Sequence, residues 1–105
     1  MKTGVELIAD ERKRQIEVEG WTSKHDDQHC DDTLVVAGIC YAAHVANSLR
    51  GATPDKLPPQ WPWEARWWKP EDNVRTLVKA GALIAAQIDR LQRRADYLSG
   101  GKGAV

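Results

Sequence analysis

A heptad pattern in the C-terminal third of the chain constrains the fold more than any other feature. Small or apolar residues recur there at alternating intervals of three and four positions, which is typical of a helix that packs along one seam. The spacing predicts a helix over about residues 71–98, ~42 Å long. A compact domain of 105 residues is only about 30 Å across, so we expect a second copy of the chain to cover the surplus. The residues of this seam are Val74, Leu77, Gly81, Ile84, Ile88, Leu91, Ala95 and Leu98.

A first helix is predicted over about residues 4–19. Thr3 and Glu6 have the spacing of a capping box, and Gly20 follows the segment as a stop signal. The apolar stripe is thin and the other side is densely charged, so we expect this helix to be half covered. The face expected to be covered comprises Val5, Ile8, Arg12, Gln15 and Ile16.

A second helix, over about residues 33–50, is expected to be the most buried. Nearly every residue from 34 to 46 is apolar or small, which favours burial on most sides. Asp31 or Asp32 would supply the N-cap, and Gly51 would end the helix. The positions expected to face the core are Leu34, Gly38, Tyr41, Val45 and Ser48.

These patterns predict an all-α fold with three main helices in an oligomeric helical bundle. No strand pattern of four or more alternating residues occurs. We expect a single domain over residues 1–98 and a disordered tail over 99–105.

Charge and composition argue against several classes of protein. The 15 Lys and Arg residues balance 15 Asp and Glu residues, which disfavours a duplex nucleic-acid partner or a polybasic membrane protein. No run approaches the ~18 apolar residues of a membrane span, and the N-terminus has no secretory pattern. We therefore expect a cytoplasmic protein, with Cys30 and Cys40 as free thiols.

Tryptophan is concentrated in one short segment, residues 60–70, which we call the tryptophan loop. Four of the five Trp residues lie between positions 61 and 68, and all five prolines lie between 54 and 70. This proline density excludes a regular helix, but an ordered loop is expected because four indoles would not be left in water. Indoles interleaved with Arg66 and Lys69 suit a nucleobase with its phosphate. The alternative is that the indoles only cover the helical core.

Two further groups of residues are candidates for chemistry. Lys79 lies in an otherwise small and apolar run, so it either extends outward to solvent or faces a pocket. Asp27 and His25 would orient one another as an acid–base pair. The four acids of residues 26–32 would hold Mg²⁺ or form a helix cap and a solvated turn. The pairs His25/His29 and Cys40/His44 are each four residues apart, a spacing that places two zinc ligands on one helix face. The sequence has no Cys-x-x-Cys motif, which argues against a structural zinc site.

Several motifs taken together resemble a group of small phage and prophage proteins. The resemblance covers about residues 6–92 and implies a phage origin. The motifs are Glu11-Arg12-Lys13-Arg14-Gln15, Glu19-Gly20-Trp21, His25-Asp26-Asp27, Trp61-Pro62-Trp63, Trp67-Trp68-Lys69-Pro70 and Leu77-Val78-Lys79-Ala80-Gly81-Ala82-Leu83-Ile84.

A fainter likeness is to the MazG-type all-α nucleoside triphosphate pyrophosphohydrolases, which hold Mg²⁺ with acidic pairs on neighbouring helices. Residues 32–43 and 71–84 resemble those two helices. The acids themselves do not match, since Thr33, Val36 and Ala37 occupy the first stretch and Lys79 stands where an acid belongs. This resemblance implies phosphate binding without hydrolysis.

We therefore expect a phage-encoded oligomer that binds a nucleotide-like anionic ligand, without a cofactor, and sequesters an immune signal of the host. One alternative is a divergent Mg²⁺-dependent pyrophosphohydrolase. Another is an inhibitor that binds a host defence protein through the tryptophan loop. The hydrolase would use Glu11, Asp26, Asp27 and Asp32. The predicted ligand-binding residues are Arg14, Gln15, Trp21, His25, Asp27, Trp63, Trp68, Lys69 and Lys79.

Overall fold

The computed structural model describes residues 1–28, 32–52 and 56–99. The described residues contain helices and no strand, which confirms the all-α prediction. Of the predicted tail, Ser99 is the C-cap of the last helix, and residues 100–105 lie outside the described residues. The elements are α1 (Gly4–Glu17), α2 (Ser23–Asp27), α3 (Thr33–Leu49), a 3₁₀ turn (Ala65–Trp67) and α4 (Asn73–Leu98).

Helix α1 has the predicted start and part of the predicted buried face. The capping box is present, with the Thr3 hydroxyl accepting from the Glu6 backbone N–H and the Glu6 carboxylate accepting from the Thr3 N–H. Of the predicted face, Gln15 is buried and Ile8 and Arg12 are half-buried, whereas Val5 and Ile16 are exposed. Glu11 is buried as well, because its charge is paired with Arg75 of α4.

A short helix, α2, lies in the segment between the first two predicted helices. Its N-cap is Thr22, whose side chain accepts a hydrogen bond from the His25 backbone N–H. One helical turn then directs Asp26 into the interior, where it is fully buried. The five residues of this helix are too few to leave a periodic pattern in the sequence.

Helices α3 and α4 form the core, and they approach closely through small residues. Leu34, Gly38, Tyr41 and Val45 are buried, as the spacing of α3 predicted. A Cβ atom added at Gly38 would lie 3.2 Å from the carbonyl oxygen of Ala80 and 3.3 Å from Ile84 Cγ1. The core therefore depends on close backbone approach as well as on large side chains. Its buried members are Leu34, Ala37, Cys40, Tyr41, Trp61, Ala80, Leu83 and Ala86.

Helix α4 begins slightly later than the sequence predicted. Its N-cap is Asp72, whose carboxylate accepts from the Arg75 N–H at 2.9 Å, so Pro70 and Glu71 precede the helix. The 26 residues of α4 extend ~39 Å. Within the described ranges, no helix combines the length and the apolar character needed to cross a membrane.

Replacing Gly38 by valine should destabilise the fold. The branched side chain would meet the Ala80 carbonyl and Ile84 and force α3 away from α4, so we expect the free energy of unfolding to fall by about 2 kcal/mol. Chemical denaturation followed by circular dichroism measures this change. The matched control is Gly4→Val, because a Cβ at Gly4 has no neighbour within 4 Å. Equal stabilities for the two variants would contradict the close approach of α3 to α4.

Candidate ligand pocket

A cavity of about 550 Å³ lies between α1, α3, α4 and the tryptophan loop. Each element contributes side chains to its wall, and the wall mixes aromatic rings with charged groups. Such a combination is typical of small-molecule sites, where apolar walls supply contact area and a few polar groups orient the ligand. The lining residues are Glu11, Arg14, Gln15, Glu19, Trp21, His25, Leu34, Tyr41, Pro62, Trp63, Glu64, Trp67, Lys69, Lys79 and Leu83.

Most of the residues predicted to bind a ligand lie in this wall. The structure brings seven of the nine together, from α1, the following turn, α2, the tryptophan loop and α4. These seven are Arg14, Gln15, Trp21, His25, Trp63, Lys69 and Lys79. Asp27 and Trp68 do not line the cavity.

The buried carboxylate of Glu11 lies in the cavity wall, where two arginines bind it. Arg14 holds it in a bidentate contact, with Nε 2.9 Å from one carboxylate oxygen and a terminal nitrogen 3.0 Å from the other. Arg75 of α4 donates to the same carboxylate. Burial raises the pKa of Glu11, but the hydrogen bonds and charges of Arg14 and Arg75 outweigh burial and leave that pKa below its ordinary value. Glu11 is therefore a charged carboxylate at neutral pH.

Arg14 is fixed from two sides. Besides Glu11 it contacts the carboxylate of Glu19 at 2.8 Å. The hydrogen bonds to both acids raise the pKa of Arg14 above its ordinary value. The Gln15 side chain is also held in place, since its Nε2 donates to the Glu11 carboxylate and its Oε1 accepts from Arg12, both at 3.4 Å. This side of the cavity is preformed.

His25 lies in the cavity wall and contacts both an indole ring and a buried carboxylate. The His25 ring is parallel to the Trp21 indole, with centroids 5.7 Å apart. Its Nδ1 is 3.1 Å from the buried carboxylate of Asp26, which also accepts from Arg12 at 2.7 Å. The predicted pairing of His25 with Asp27 is therefore wrong, because Asp26 is the acid that the α2 turn directs inward.

Asp27 points to the opposite side of α2. Its carboxylate is 2.7 Å from a terminal nitrogen of Arg93 on α4. This hydrogen bond is the main reason that the pKa of Arg93 is raised above its ordinary value. Asp27 thus fastens α2 to α4 and lies outside the cavity wall.

The tryptophan loop divides its indoles between the core and the cavity. Trp61 is buried in the core cluster. Trp68 stacks on Tyr41 with centroids 4.8 Å apart and meets the edges of Trp61 and His44. Trp68 therefore packs against the core, and the indoles that line the cavity from this loop are those of Trp63 and Trp67.

Tyr41 joins the core to the tryptophan loop. Burial raises the pKa of the Tyr41 phenol, so it stays neutral at physiological pH. Its hydroxyl donates to the Trp67 carbonyl at 3.3 Å and accepts from the Lys69 N–H at 3.1 Å. The loop backbone is in this way pinned to α3 at the cavity edge.

Lys79 faces the cavity side, in line with the pocket interpretation. Its ammonium donates to the Lys69 carbonyl oxygen at 2.6 Å and pairs with Glu71 at 2.6 Å. The side chain is only 15% exposed. Lys79 therefore links the start of α4 to the end of the loop as well as lining the cavity.

The charges of the wall are balanced. Three acids, Glu11, Glu19 and Glu64, line the cavity together with three cations, Arg14, Lys69 and Lys79. The Lys69 ammonium lies over the Trp67 ring, 5.4 Å from its centroid. Arg66 contacts the same ring at 5.1 Å without lining the cavity.

The structure describes only some of the residues considered for zinc and magnesium. Cys40 is a buried free thiol whose pKa is raised by burial, and His44 contacts the Trp68 ring. His29, Cys30 and Asp31 lie outside the described residues. Among the residues that the structure describes, no three His, Cys, Asp or Glu side chains form a metal-binding group.

Sequence reasoning missed several residues of the wall. Trp67 lay in the right segment, and Glu11 lies one helical turn before Arg14, a spacing that predicts an ion pair. Tyr41 was assigned to the core, where its hydroxyl needed a partner. The remaining missed residues are Glu19, Leu34, Pro62, Glu64 and Leu83.

Comparisons of the chain with protein-family models, with curated proteins and with solved structures give no match. The geometry of the pocket is therefore the basis for the function proposed below.

The substitution Glu11→Gln should remove a contribution to the free energy of unfolding that depends on pH. Because its folded pKa is lowered, Glu11 stabilises the fold above its unfolded pKa of about 4.3, and this stabilisation is lost as the pH falls through the folded pKa. At neutral pH, Glu11→Gln should cost about 3 kcal/mol, since it removes the buried carboxylate that Arg14 and Arg75 share. Thermal melts of both proteins from about pH 7 to about pH 3 measure this.

The difference in melting temperature between wild type and Glu11→Gln should shrink as the medium becomes acidic. Glu64→Gln is the control, because Glu64 pairs with Arg66 at the surface, where both side chains are 70% exposed. A difference that stays constant over the whole pH range would contradict the charged state of Glu11.

Proposed function

We propose that the cavity binds a planar aromatic ligand of low negative charge, of the nucleotide type, without hydrolysing it. The observation that carries the proposal is the make-up of the wall, where Trp21, Trp63 and Trp67 surround the same space as Lys69. Stacking of a base on an aromatic side chain contributes about 1–3 kcal/mol. A lysine ammonium beside the stacked ring would meet a phosphate or another anionic group.

The balance of charge favours a ligand with few negative charges. Arg14 is engaged by Glu11 and Glu19, and Lys79 is engaged by Glu71. Lys69 differs, since its described side-chain contact is the face of the Trp67 ring. A single phosphate would find Lys69 as its partner, whereas a triphosphate would also meet the carboxylates of the wall.

Binding without hydrolysis is supported by the state of the acids. The hydrolase alternative needs carboxylate oxygens that are open to Mg²⁺. Glu11 is instead engaged by Arg14 and Arg75, Asp26 by Arg12, and Asp27 by Arg93. Glu11 and Asp26 are buried, so displacing their arginines would leave a buried charge unpaired, which is costly.

The wider roles inferred from the phage resemblance stay predictions. Sequestration of a host immune signal requires a ligand that is held and not converted, which agrees with the proposed binding. A role as an inhibitor of a host defence protein would use the exposed part of the tryptophan loop, in particular Trp67, which is 45% exposed.

Removing the charge of Lys69 should weaken ligand binding. The probes are AMP, GMP, cyclic AMP, a cyclic dinucleotide and ATP, titrated against intrinsic tryptophan fluorescence. For the nucleotide that binds best to wild type, Lys69→Gln should raise the Kd about tenfold, because one charged hydrogen bond contributes about 1.5 kcal/mol or more. Arg66→Gln is the matched control, since Arg66 contacts the same Trp67 ring outside the cavity.

Three outcomes would contradict the proposed function. One is a flat fluorescence response to every nucleotide in the panel. Another is an equal loss of affinity in Lys69→Gln and Arg66→Gln. The third is release of pyrophosphate from a nucleoside triphosphate in the presence of Mg²⁺ that stops on addition of EDTA, which would support the hydrolase instead.

The two adjacent indoles of the loop should respond differently to substitution. Trp67→Leu removes a ring from the cavity wall and should raise the Kd for the same nucleotide about tenfold or more, with little change in melting temperature. Trp68→Leu removes a ring stacked on Tyr41 and should lower the unfolding free energy by about 2–3 kcal/mol. Calorimetric titration and thermal melts separate the two effects. Loss of stability in Trp67→Leu equal to that in Trp68→Leu would refute the division between cavity and core.

A further inference from the structure

The side of α4 that faces away from the rest of the chain is more aliphatic than the side that faces the core. The buried side combines Val78 and Leu83 with three alanines and with the polar residues Thr76, Gln87 and Arg90. Six large aliphatic side chains of α4 lie on the other side and are between 40 and 70% exposed. They are Val74, Leu77, Ile84, Ile88, Leu91 and Leu98.

These exposed side chains are the heptad seam. At the eight seam positions no side chain carries a charge, whereas the exposed charged residues of this helix, such as Asp89 and Asp96, lie off the seam. Ile8 of α1 adds to the same strip, because it covers Gly81 where a Cβ atom would be within 2.5 Å of Ile8 Cδ1. A solvated helix face normally carries charged side chains, so this strip has the composition of a covered surface.

We propose that the seam of α4 is the contact surface for a second copy of this chain. A 3.5-residue spacing selects a partner helix that presents the same spacing. The chain presents such a helix itself. A two-fold axis would bring the seams of two copies together and cover both at once, which closes the assembly as a dimer.

The exposed area agrees with this assignment. The six aliphatic side chains together expose on the order of 600 Å² per chain, against about 800 Å² per partner in a standard interface. Monomeric proteins rarely expose a contiguous apolar patch larger than a few hundred Å². Side chains at the rim of the seam would supply the remainder.

The test is the mass in solution of wild type and of a charged seam variant. Light scattering and sedimentation equilibrium at micromolar concentration should give wild type twice the 11.7 kDa of one chain. The double variant Ile88→Lys/Leu91→Lys should sediment at 11.7 kDa with its helical content retained, because both side chains are already 50% exposed. Ile16→Lys is the matched control, since Ile16 is 39% exposed on α1 and should leave the dimer intact.

A milder variant keeps the test independent of folding defects. Ile88→Ala/Leu91→Ala removes contact area without adding charge and should weaken the dimer Kd about tenfold or more. Wild type that stays at the mass of one chain would overturn the proposal and point to a different protein as the occupant of the seam. A lysine double variant that remains dimeric, or an alanine double variant with an unchanged dimer Kd, would overturn it as well.

Discussion

Two arginines pair with the buried carboxylate of Glu11, and the position of α1 against α4 depends on that contact. Glu11 accepts from Arg14 on its own helix and from Arg75 on α4. Similar pairs attach α2, with Asp26 held by Arg12 and Asp27 held by Arg93. The N-terminal third is thus joined to the core by charge pairs whose partners come from different helices. An unpaired charge at any of the buried positions would be strongly unfavourable, so these pairs fix the geometry of one side of the pocket.

The sequence predicted the number and type of the main helices because their signals are local. The capping box at Thr3 and Glu6 and the spacing of Leu34, Tyr41 and Val45 depend only on neighbours along the chain. The burial of Glu11 on α1 was not predicted because it depends on Arg75, which lies 64 positions away. Likewise, nothing local distinguishes Asp26 from Asp27, and only the turn of α2 decides which acid meets His25.

The pocket was predicted in part for a related reason. A cluster of indoles and cations in the sequence indicates where a binding site lies. It does not show which indoles pack against the core and which line the cavity. Trp68 lies in the core because Tyr41 offers it a parallel ring, and Trp67 next to it lies in the cavity wall. The two sides of α4 then have separate tasks. One supports the pocket through Lys79 and Leu83, and the opposite one carries the seam.

The charge pairs that attach α1 also bear on how stability changes with temperature. Exposure of apolar surface raises the heat capacity on unfolding, and exposure of polar surface lowers it. The contact of α1 with α4 combines the charge pair of Glu11 and Arg75 with the packing of Ile8 over Gly81, so its rupture exposes polar as well as apolar surface. We infer that this interface adds less to the heat capacity of unfolding than a purely aliphatic contact of the same area. Its contribution to the free energy of unfolding therefore changes less with temperature. We expect α1 to stay attached over a wider temperature range than a helix held by an aliphatic contact of the same area.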